Sequence, residues 1–199
     1  MEQQGITESK LLINRIDLLM HTIEQLLALS RAGQNFASGL YQTLDWVENV
    51  VQPLQDELQE MCTLRQQTIQ WEFPPYAKTE GDATLLRLML RNLIENAHRY
   101  SPIGSQISVK LVTEDSGTIL QVIDEGPGIK PEQAGELTQA FRRMDQRYGG
   151  SGLGLNIVIR IVQLHQGRLT LENRPERSGL KAQCWIPAIT HNKKLPQYN

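Results

Sequence analysis

The apolar positions of this 199-residue chain change period several times, and each change marks an element. Leu12, Ile16, Leu19, Ile23 and Leu26 alternate spacings of four and three, a heptad seam that Leu11, Leu18 and Leu27 widen. The spacing predicts a helix over residues 8–31, about 35 Å long, stopped at Ala32-Gly33. Such a helix cannot bury its own stripe: it pairs with another helix, of this chain or of a second copy, or packs on the domain that follows. Residues 35–39 are small and polar and read as a linker.

After the linker, residues 40–44 predict a short strand. Trp46, Val50, Leu54, Leu58 and Met61 then line one side of a helix over residues 45–64. Ile69, Trp71 and Phe73 alternate with Gln70 and Glu72, the period of a half-buried strand, which Pro74-Pro75 ends. A long central helix starts after Gly81, with Asp82 as its N-cap, and closes at Ser101-Pro102. Residues 106–112 and 118–123 both alternate and, joined by Glu114-Asp115-Ser116-Gly117, predict a hairpin. Residues 131–140 predict a short helix leading to Phe141-Arg142-Arg143-Met144. Residues 145–151 are polar and Gly-rich with no apolar period, and read as a mobile loop. Leu155, Ile157, Val158, Ile161, Val162 and Leu164 give another helix, ended by Gly167. Two strands, residues 169–172 and 179–186, precede a polar tail over residues 191–199 that reads as frayed.

Within the central helix Asn92, Glu95, Asn96 and Arg99 recur three and four residues apart, so they stack along one face, while Leu85, Leu88, Leu90, Leu93 and Ile94 supply a separate apolar side. The helix can be held by packing while its polar row looks elsewhere. Amide and carboxylate oxygens suit hard cations such as Mg²⁺, and a guanidinium in the same row suits phosphate, so the combination points to a metal-nucleotide complex. In the turn Asp124-Glu125-Gly126-Pro127-Gly128-Ile129 the glycines let backbone approach a ligand and the acid can accept a hydrogen bond from it. A purely structural turn satisfies the same pattern. Gly150-Ser151-Gly152-Leu153-Gly154-Leu155 opens a helix, where backbone amides and the positive dipole end can cradle an anion. It lacks the G-x-G-x-x-G spacing of a dinucleotide fingerprint, and no βαβ pattern surrounds it.

Composition narrows the partners. Twenty Lys and Arg against 22 Asp and Glu give a net charge of -2 with no basic stripe, so there is no electrostatic case for direct nucleic-acid or anionic-membrane binding. Two distant cysteines with no C-x-x-C or Cys/His cluster argue against a metal site or a disulfide framework. With 40% hydrophobic and 21% charged residues the chain reads as soluble and globular. It has no apolar run of about 20 residues and no signal-peptide pattern, although it can still be the cytosolic end of a membrane protein.

The order of these pieces is specific: Asn-bearing helix, D-x-G-x-G turn, Phe segment, loop, G-x-G-L-G-L helix. Over residues 40–187 the chain resembles the catalytic ATP-binding domain of sensor histidine kinases, in the superfamily that also holds Hsp90, DNA gyrase and MutL. N-L-I-E-N-A-H-R-Y-S-P resembles the N box, D-E-G-P-G-I the first glycine box, F-R-R-M the F box and G-G-S-G-L-G-L the second glycine box. The wording around them, L-L-R-L-M-L-R-N-L-I-E-N-A-H-R-Y-S-P and R-M-D-Q-R-Y-G-G-S-G-L-G-L, is similar to a polymyxin-resistance branch of that family.

The resemblance implies an α+β fold of Bergerat type: a two-layer α/β sandwich in which three helices cover a mixed sheet, ATP lies between helices and a lid, and a long helix precedes the whole. By resemblance, Asn96 coordinates the Mg²⁺ that bridges the phosphates, with Asn92 one turn earlier as second contact, and Glu95 polarises the acceptor histidine. Arg99 stands where the family more often has Lys, which keeps the charge but changes its geometry. Tyr100 packs on adenine, Asp124 takes the adenine amino proton, and Gly126, Gly128 and Ile129 shape that pocket. Arg143 contacts the γ-phosphate, and Gly150, Ser151, Gly152, Leu153, Gly154 and Leu155 form lid hinge and phosphate loop. Open alternatives place Tyr100 in the core, Arg142 and Arg143 in a solvated pair, and Glu95 in a salt bridge.

One motif departs from the family. A sensor kinase phosphorylates a histidine in a context such as H-E-x-R-T-P-L, on the first helix of a dimerisation hairpin, and none of His21, His98, His165 and His191 has that context. The helix over residues 8–31, ending in L-A-L-S-R-A-G-Q, resembles the second helix of the hairpin, so the chain is expected to begin near the end of helix one. The expected layout is hairpin helix at 1–34, linker at 35–39, catalytic domain at 40–187 and tail at 188–199. The resemblance further implies a response-regulator partner, a homodimer formed through the hairpin, and the cytoplasmic side of an inner-membrane protein. Two other readings remain open, a conformational ATPase of the Hsp90, gyrase or MutL type and an ATP-binding scaffold. The expected outcome of incubating this chain alone with γ-labelled ATP is no acid-labile, base-stable label, and the appearance of such label would overturn the assignment of the missing acceptor.

Overall fold

A computed structural model describes residues 42–129 and 153–188, together with Leu27 and Leu29. In chain order the elements are β1 (Gln42–Asp45), a π-helical turn (Val47–Val51) running into α1 (Gln52–Thr63), β2 (Thr68–Glu72), β3 (Lys78–Gly81), α2 (Ala83–Tyr100), β4 (Gln106–Glu114), β5 (Gly117–Ile123), α3 (Leu153–Leu164), β6 (Arg168–Asn173) and β7 (Leu180–Pro187). All of them belong to the compact unit Tyr41–Asn199. Apart from Leu27 and Leu29, the expected helix over 8–31 lies outside the described residues, as do the segments 131–140, 141–144 and 145–151 and the tail. Among the described residues no helix is long and apolar enough to cross a membrane.

The alternating runs assemble into one mixed sheet in the order β2-β4-β5-β7-β6. β2 runs parallel to β4 and the remaining pairs are antiparallel. Register puts like with like: Ile69 opposite Ile107, Val109 opposite Val122, Leu111 opposite Leu120, Leu120 and Leu169 opposite Cys184. All of these are buried, so every second residue of each strand faces one apolar layer. The three helices cover that layer: Leu54 and Leu58 come from α1, Leu86, Met89, Leu90, Leu93 and Ile94 from α2, and Ile157, Val158, Ile161 and Val162 from α3. The opposite side carries Gln70, Lys110, Gln121 and Gln183. This is the mixed α+β sandwich expected from the sequence.

Four local features differ from expectation. β1 and β3 form a separate two-stranded antiparallel sheet, and β3, with the sequence Lys-Thr-Glu-Gly, carries no apolar alternation to announce it. The helix after β1 begins with a π-turn because Pro53 has no N–H to donate to the Asn49 carbonyl one turn earlier. Arg87 on α2 supplies that carbonyl instead, at 3.2 Å. Further along, Cys62 is fully buried while Met61 is only half-buried. At the end of α3 the left-handed residue is Gln166 (φ 54), not Gly167, whose N–H bonds back to Val162 in a Schellman-type stop. Gly167 is required for approach, since a Cβ there would lie 2.2 Å from the Trp185 carbonyl oxygen.

α2 is fastened at both ends. Asp82 caps it as expected, its Oδ1 accepting from the N–H of Thr84 (2.8 Å) and Leu85 (3.1 Å). At the other end, the Arg65 guanidinium donates to the carbonyls of His98, Arg99 and Ser101. Gln67 Nε2 reaches those of His98, Ser101 and Pro102, and its Oε1 accepts from His98 Nδ1. These satisfy carbonyls that the helix itself leaves unpaired.

His165 ties α3 to the start of α2. Its ring is 1% exposed, Nδ1–H donates to the Ile161 carbonyl at 2.8 Å, and Nε2 accepts the Asp82 N–H at 3.2 Å. Gly81 makes room for it, because a Cβ at that position would lie 2.8 Å from the ring. Burial holds the His165 pKa below its usual value, outweighing the Ile161 bond and the charge of Asp82. The His98 pKa is likewise depressed, by burial and by the charges of Arg65 and Arg99. The unfolded chain therefore takes up protons before the folded one does, so stability is flat above the unfolded histidine pKa of about 6.5 and falls as pH drops through it. Urea midpoints should decline between pH 7.5 and 5.5 in the wild type and decline less in His165→Asn; equal slopes would refute the role given to His165.

Candidate functional site

The polar row of α2 lies between the two glycine segments, which the sequence separates by more than twenty residues. At the start of α3, a Cβ on Gly154 would lie 2.8 Å from Asn92 Oδ1 and 3.6 Å from Asn96 Nδ2. At the other end, a Cβ on Gly126 would lie 3.0 Å from the Tyr100 carbonyl oxygen and 3.1 Å from Asp124 Oδ1. Gly154 and Gly126 thus both approach α2 closely, and glycine is the residue that permits it.

The members of the row are held differently. Asn92 is 4% exposed and its Nδ2 donates to the Leu88 carbonyl one turn back at 2.8 Å, which turns its Oδ1 towards Gly154. Asn96 is half-buried, and its amide has no hydrogen bond among the described residues. Glu95 lies 3.9 Å from the Arg91 guanidinium, which is itself held by Glu57 through two 2.6 Å bonds. Arg99 is exposed at the end of the helix, its side chain without a partner among the described residues. Tyr100 is 55% exposed, so the alternative of a core tyrosine is excluded.

Asp124, 8% exposed, directly follows β5. Its Oδ1 accepts from the N–H of Gly126 at 2.8 Å and of Leu180 at 3.0 Å, while Oδ2 has no hydrogen bond among the described residues. Burial raises the pKa of this carboxyl above the usual carboxylate value, and the two N–H bonds and the charge of Arg174 oppose the rise. The outcome is a fixed, partly desolvated acceptor with one oxygen to spare.

The segment that fixes this turn gave no signal in the sequence. The connection from β6 to β7 folds over the turn: Arg174 donates to the Asp124 carbonyl (2.9 Å), Ser178 Oγ to the Gly126 carbonyl (2.5 Å), and Arg177 pairs with Glu125 (3.1 Å). Asn173 accepts the Ile129 N–H and donates to the Ile129 carbonyl, both at 2.7 Å. Gly128 (φ +74) leaves space for that amide, since a Cβ would meet Asn173 Oδ1 at 2.5 Å, and Gly179 (φ +143) lies against the Asp124 carbonyl. Of the remaining expected site residues, Leu155 lies on α3 and Leu153 starts it, whereas Arg143, Gly150, Ser151 and Gly152 lie outside the described residues.

No group of three or more His, Cys, Asp or Glu side chains that could hold a metal occurs among the described residues. A hard cation here would meet amide oxygens and a carboxylate on α2, and the Asn96 amide is free to turn towards it.

Residues 81–190 match the family model described as histidine kinase-, DNA gyrase B-, and HSP90-like ATPase. The chain is 54% identical over 176 residues to the sensor protein BasS of Escherichia coli K12, a match covering 88% of this chain and 48% of that protein. It spans about half the length of the curated relatives it matches. Among solved structures it is similar to the cytoplasmic segment of histidine kinase QseC, at 25% identity and a TM-score of 0.56, covering 87% of this chain and 91% of that one. It also shares a fold with the histidine kinase ThkA crystallised in complex with the response regulator protein TrrA, at 19% identity and a TM-score of 0.68, covering 88% and 49%.

The contact at Gly154 can be tested without a ligand. Gly154→Ala pushes a methyl group onto an Asn92 side chain that is pinned to Leu88, and should cost about 1–3 kcal/mol in urea unfolding. Asn92→Ala opens the space, so the double variant should lose at least about 0.5 kcal/mol less than the two single changes added. Additive losses would show that the two residues do not touch.

Proposed function

Because the chain belongs to the histidine kinase-, DNA gyrase B-, and HSP90-like ATPase family, we propose that it is the catalytic portion of a sensor histidine kinase, binding ATP with Mg²⁺ for transfer of the γ-phosphoryl group to a histidine. The observation that carries this reading is the meeting of the α2 amides with Gly154. It joins a hydrogen-bonding row to the start of a helix whose backbone N–H groups and dipole favour an anion.

At the base end, Oδ2 of Asp124, which has no hydrogen bond among the described residues, accepts the adenine amino N–H, Gly126 gives the ring access to the backbone, and the exposed Tyr100 ring flanks it. At the phosphate end, Arg99 and the first turn of α3 meet negative charge, together with Arg143 and Gly150 to Gly152 from the sequence pattern. The residues fit Mg²⁺: Asn96, with Asn92 behind it, offers neutral oxygen ligands, which suits an ion that keeps several waters and takes the rest of its shell from phosphates. When bound it would neutralise charge on the transferring group. Glu95 polarises the acceptor imidazole, whose nitrogen forms a P–N bond as the bond from the γ-phosphorus to the bridging oxygen breaks and ADP leaves. Little covalent chemistry then falls to the protein, which aligns and neutralises.

The acceptor is not His165, whose two ring nitrogens are both bonded in the core. It belongs to a dimerisation helix, and relay to the aspartate of a response regulator follows, as the ThkA complex with the response regulator protein TrrA supports. The description of QseC's solved portion as a cytoplasmic segment likewise supports a cytoplasmic location at the inner membrane.

Calorimetric titration with a non-hydrolysable ATP analogue, with and without Mg²⁺, tests the assignment. Asn96→Ala should lose the Mg²⁺-dependent part of the affinity, and Asp124→Asn should lose about ten-fold or more in both conditions. Wild-type affinity in Asp124→Asn, or a loss in Asn96→Ala that ignores Mg²⁺, would refute the corresponding role.

A further inference from the structure

We propose that Asn173 is a positioning residue for nucleotide binding: it never touches the nucleotide and instead sets the base-binding turn from Asp124 to Ile129. The inference rests on the ATP reading above and adds a residue that no motif assigns.

The primary amide of Asn173 presents N–H donors and a C=O acceptor side by side in a single plane. It therefore grips both polar groups of Ile129, N–H on Oδ1 and C=O on Nδ2, at 2.7 Å each. The two residues are 44 positions apart, so the grip is a crosslink between the end of β6 and the first glycine segment. It acts at the far end of the turn. The near end is already fixed by Leu180 and Arg174 on Asp124, and the middle by Ser178 on the Gly126 carbonyl. Without Asn173 the two-residue stretch Gly128-Ile129 keeps no side-chain bond among the described residues, and its first member, a glycine at φ +74, resists rotation less than any other residue type would.

Exposure separates this role from a merely structural one. Both bonds to Ile129 are solvent-exposed, so water replaces them when they are lost and folding stability changes little. Binding changes more, because a turn that must be ordered on binding charges its entropy to the ligand. The cost falls on the base end. It should therefore be the same for every adenine nucleotide, however many phosphates it carries, which distinguishes Asn173 from Asn96 and Arg99.

The test is titration of the wild-type chain and Asn173→Ala with AMP, ADP and a non-hydrolysable ATP analogue, alongside thermal unfolding of each protein without ligand. The expected result is a loss of about three- to ten-fold, equal within error for the three nucleotides, with the melting temperature moved by less than about 2 °C. Asn173→Asp keeps the acceptor for the Ile129 N–H but sets a carboxylate against the Ile129 carbonyl, so it should be no better than Asn173→Ala. Unchanged affinity in Asn173→Ala, a loss confined to the ATP analogue, or wild-type affinity in Asn173→Asp would overturn the proposal. Failure of the wild type to bind all three nucleotides would instead overturn the ATP reading itself, and that result is obtained before any variant is compared.

Discussion

The constraint on which the rest depends is that α2 must lie in the middle of the core while its polar row stays available. A half-buried amide with no partner among the described residues, such as Asn96, forgoes a bond worth roughly 1 kcal/mol and can gain one by rotating or shifting its helix. The helix is prevented from doing so at three levels. Its apolar face is locked by fully buried Leu86, Met89, Leu90 and Ile94. Its first turn is capped by Asp82, whose N–H is taken by His165, and its last carbonyls are taken by Arg65 and Gln67. Asn92 is pinned to its own helix through Nδ2, which turns its Oδ1 towards Gly154. What is left unpaired is left so by everything around it.

The same logic governs the turn at Asp124. A carboxylate at the end of a strand would ordinarily be solvated and mobile. Here two amide bonds fix one oxygen and leave the other, and burial makes that second oxygen a poorly hydrated acceptor. The β6–β7 connection does this work, and it can because the hydrogen bonding of β5 with β7 carries on past their ends through the Asp124 N–H and the Leu180 carbonyl. Sheet order thus decides site geometry. With β7 between β5 and β6, the loop leaving β6 emerges at the same end of the sheet as the end of β5.

Much of this was legible in the sequence, and the remainder was hidden for reasons that are themselves physical. Period-two and period-3.6 runs announced β2, β4, β5, β7 and all three helices, because a buried face leaves a repeat. Asp82 announced itself as a cap, and the glycines at 126, 128 and 154 as points of close approach. β3 was invisible because four residues of mostly polar character pair with an equally short β1. The π-turn was invisible because it depends on Arg87 reaching a carbonyl that Pro53 cannot serve. Asn173 and His165 were passed over for one reason: each acts on a backbone group 44 or 83 positions away, and a side chain bonding to distant backbone leaves no local pattern.

On the proposed reading, base end and phosphate end divide the work by charge. A binding site built from carboxylates would hold Mg²⁺ tightly by itself and repel the phosphates whenever the metal left. One built from neutral amides gains little from the metal alone. The described residues contain no acidic cluster, and α2 offers two amides with a single carboxylate, Glu95, already sharing Arg91 with Glu57. Metal and nucleotide must then arrive as one unit whose charges largely cancel, recognised at one end by shape and a single carboxylate oxygen. Affinity under this arrangement is limited by how well the base end is held in place beforehand, because the phosphate end gives up its advantage when Mg²⁺ is absent. A loop that braces the turn from Asp124 to Ile129 therefore contributes to binding without touching the nucleotide.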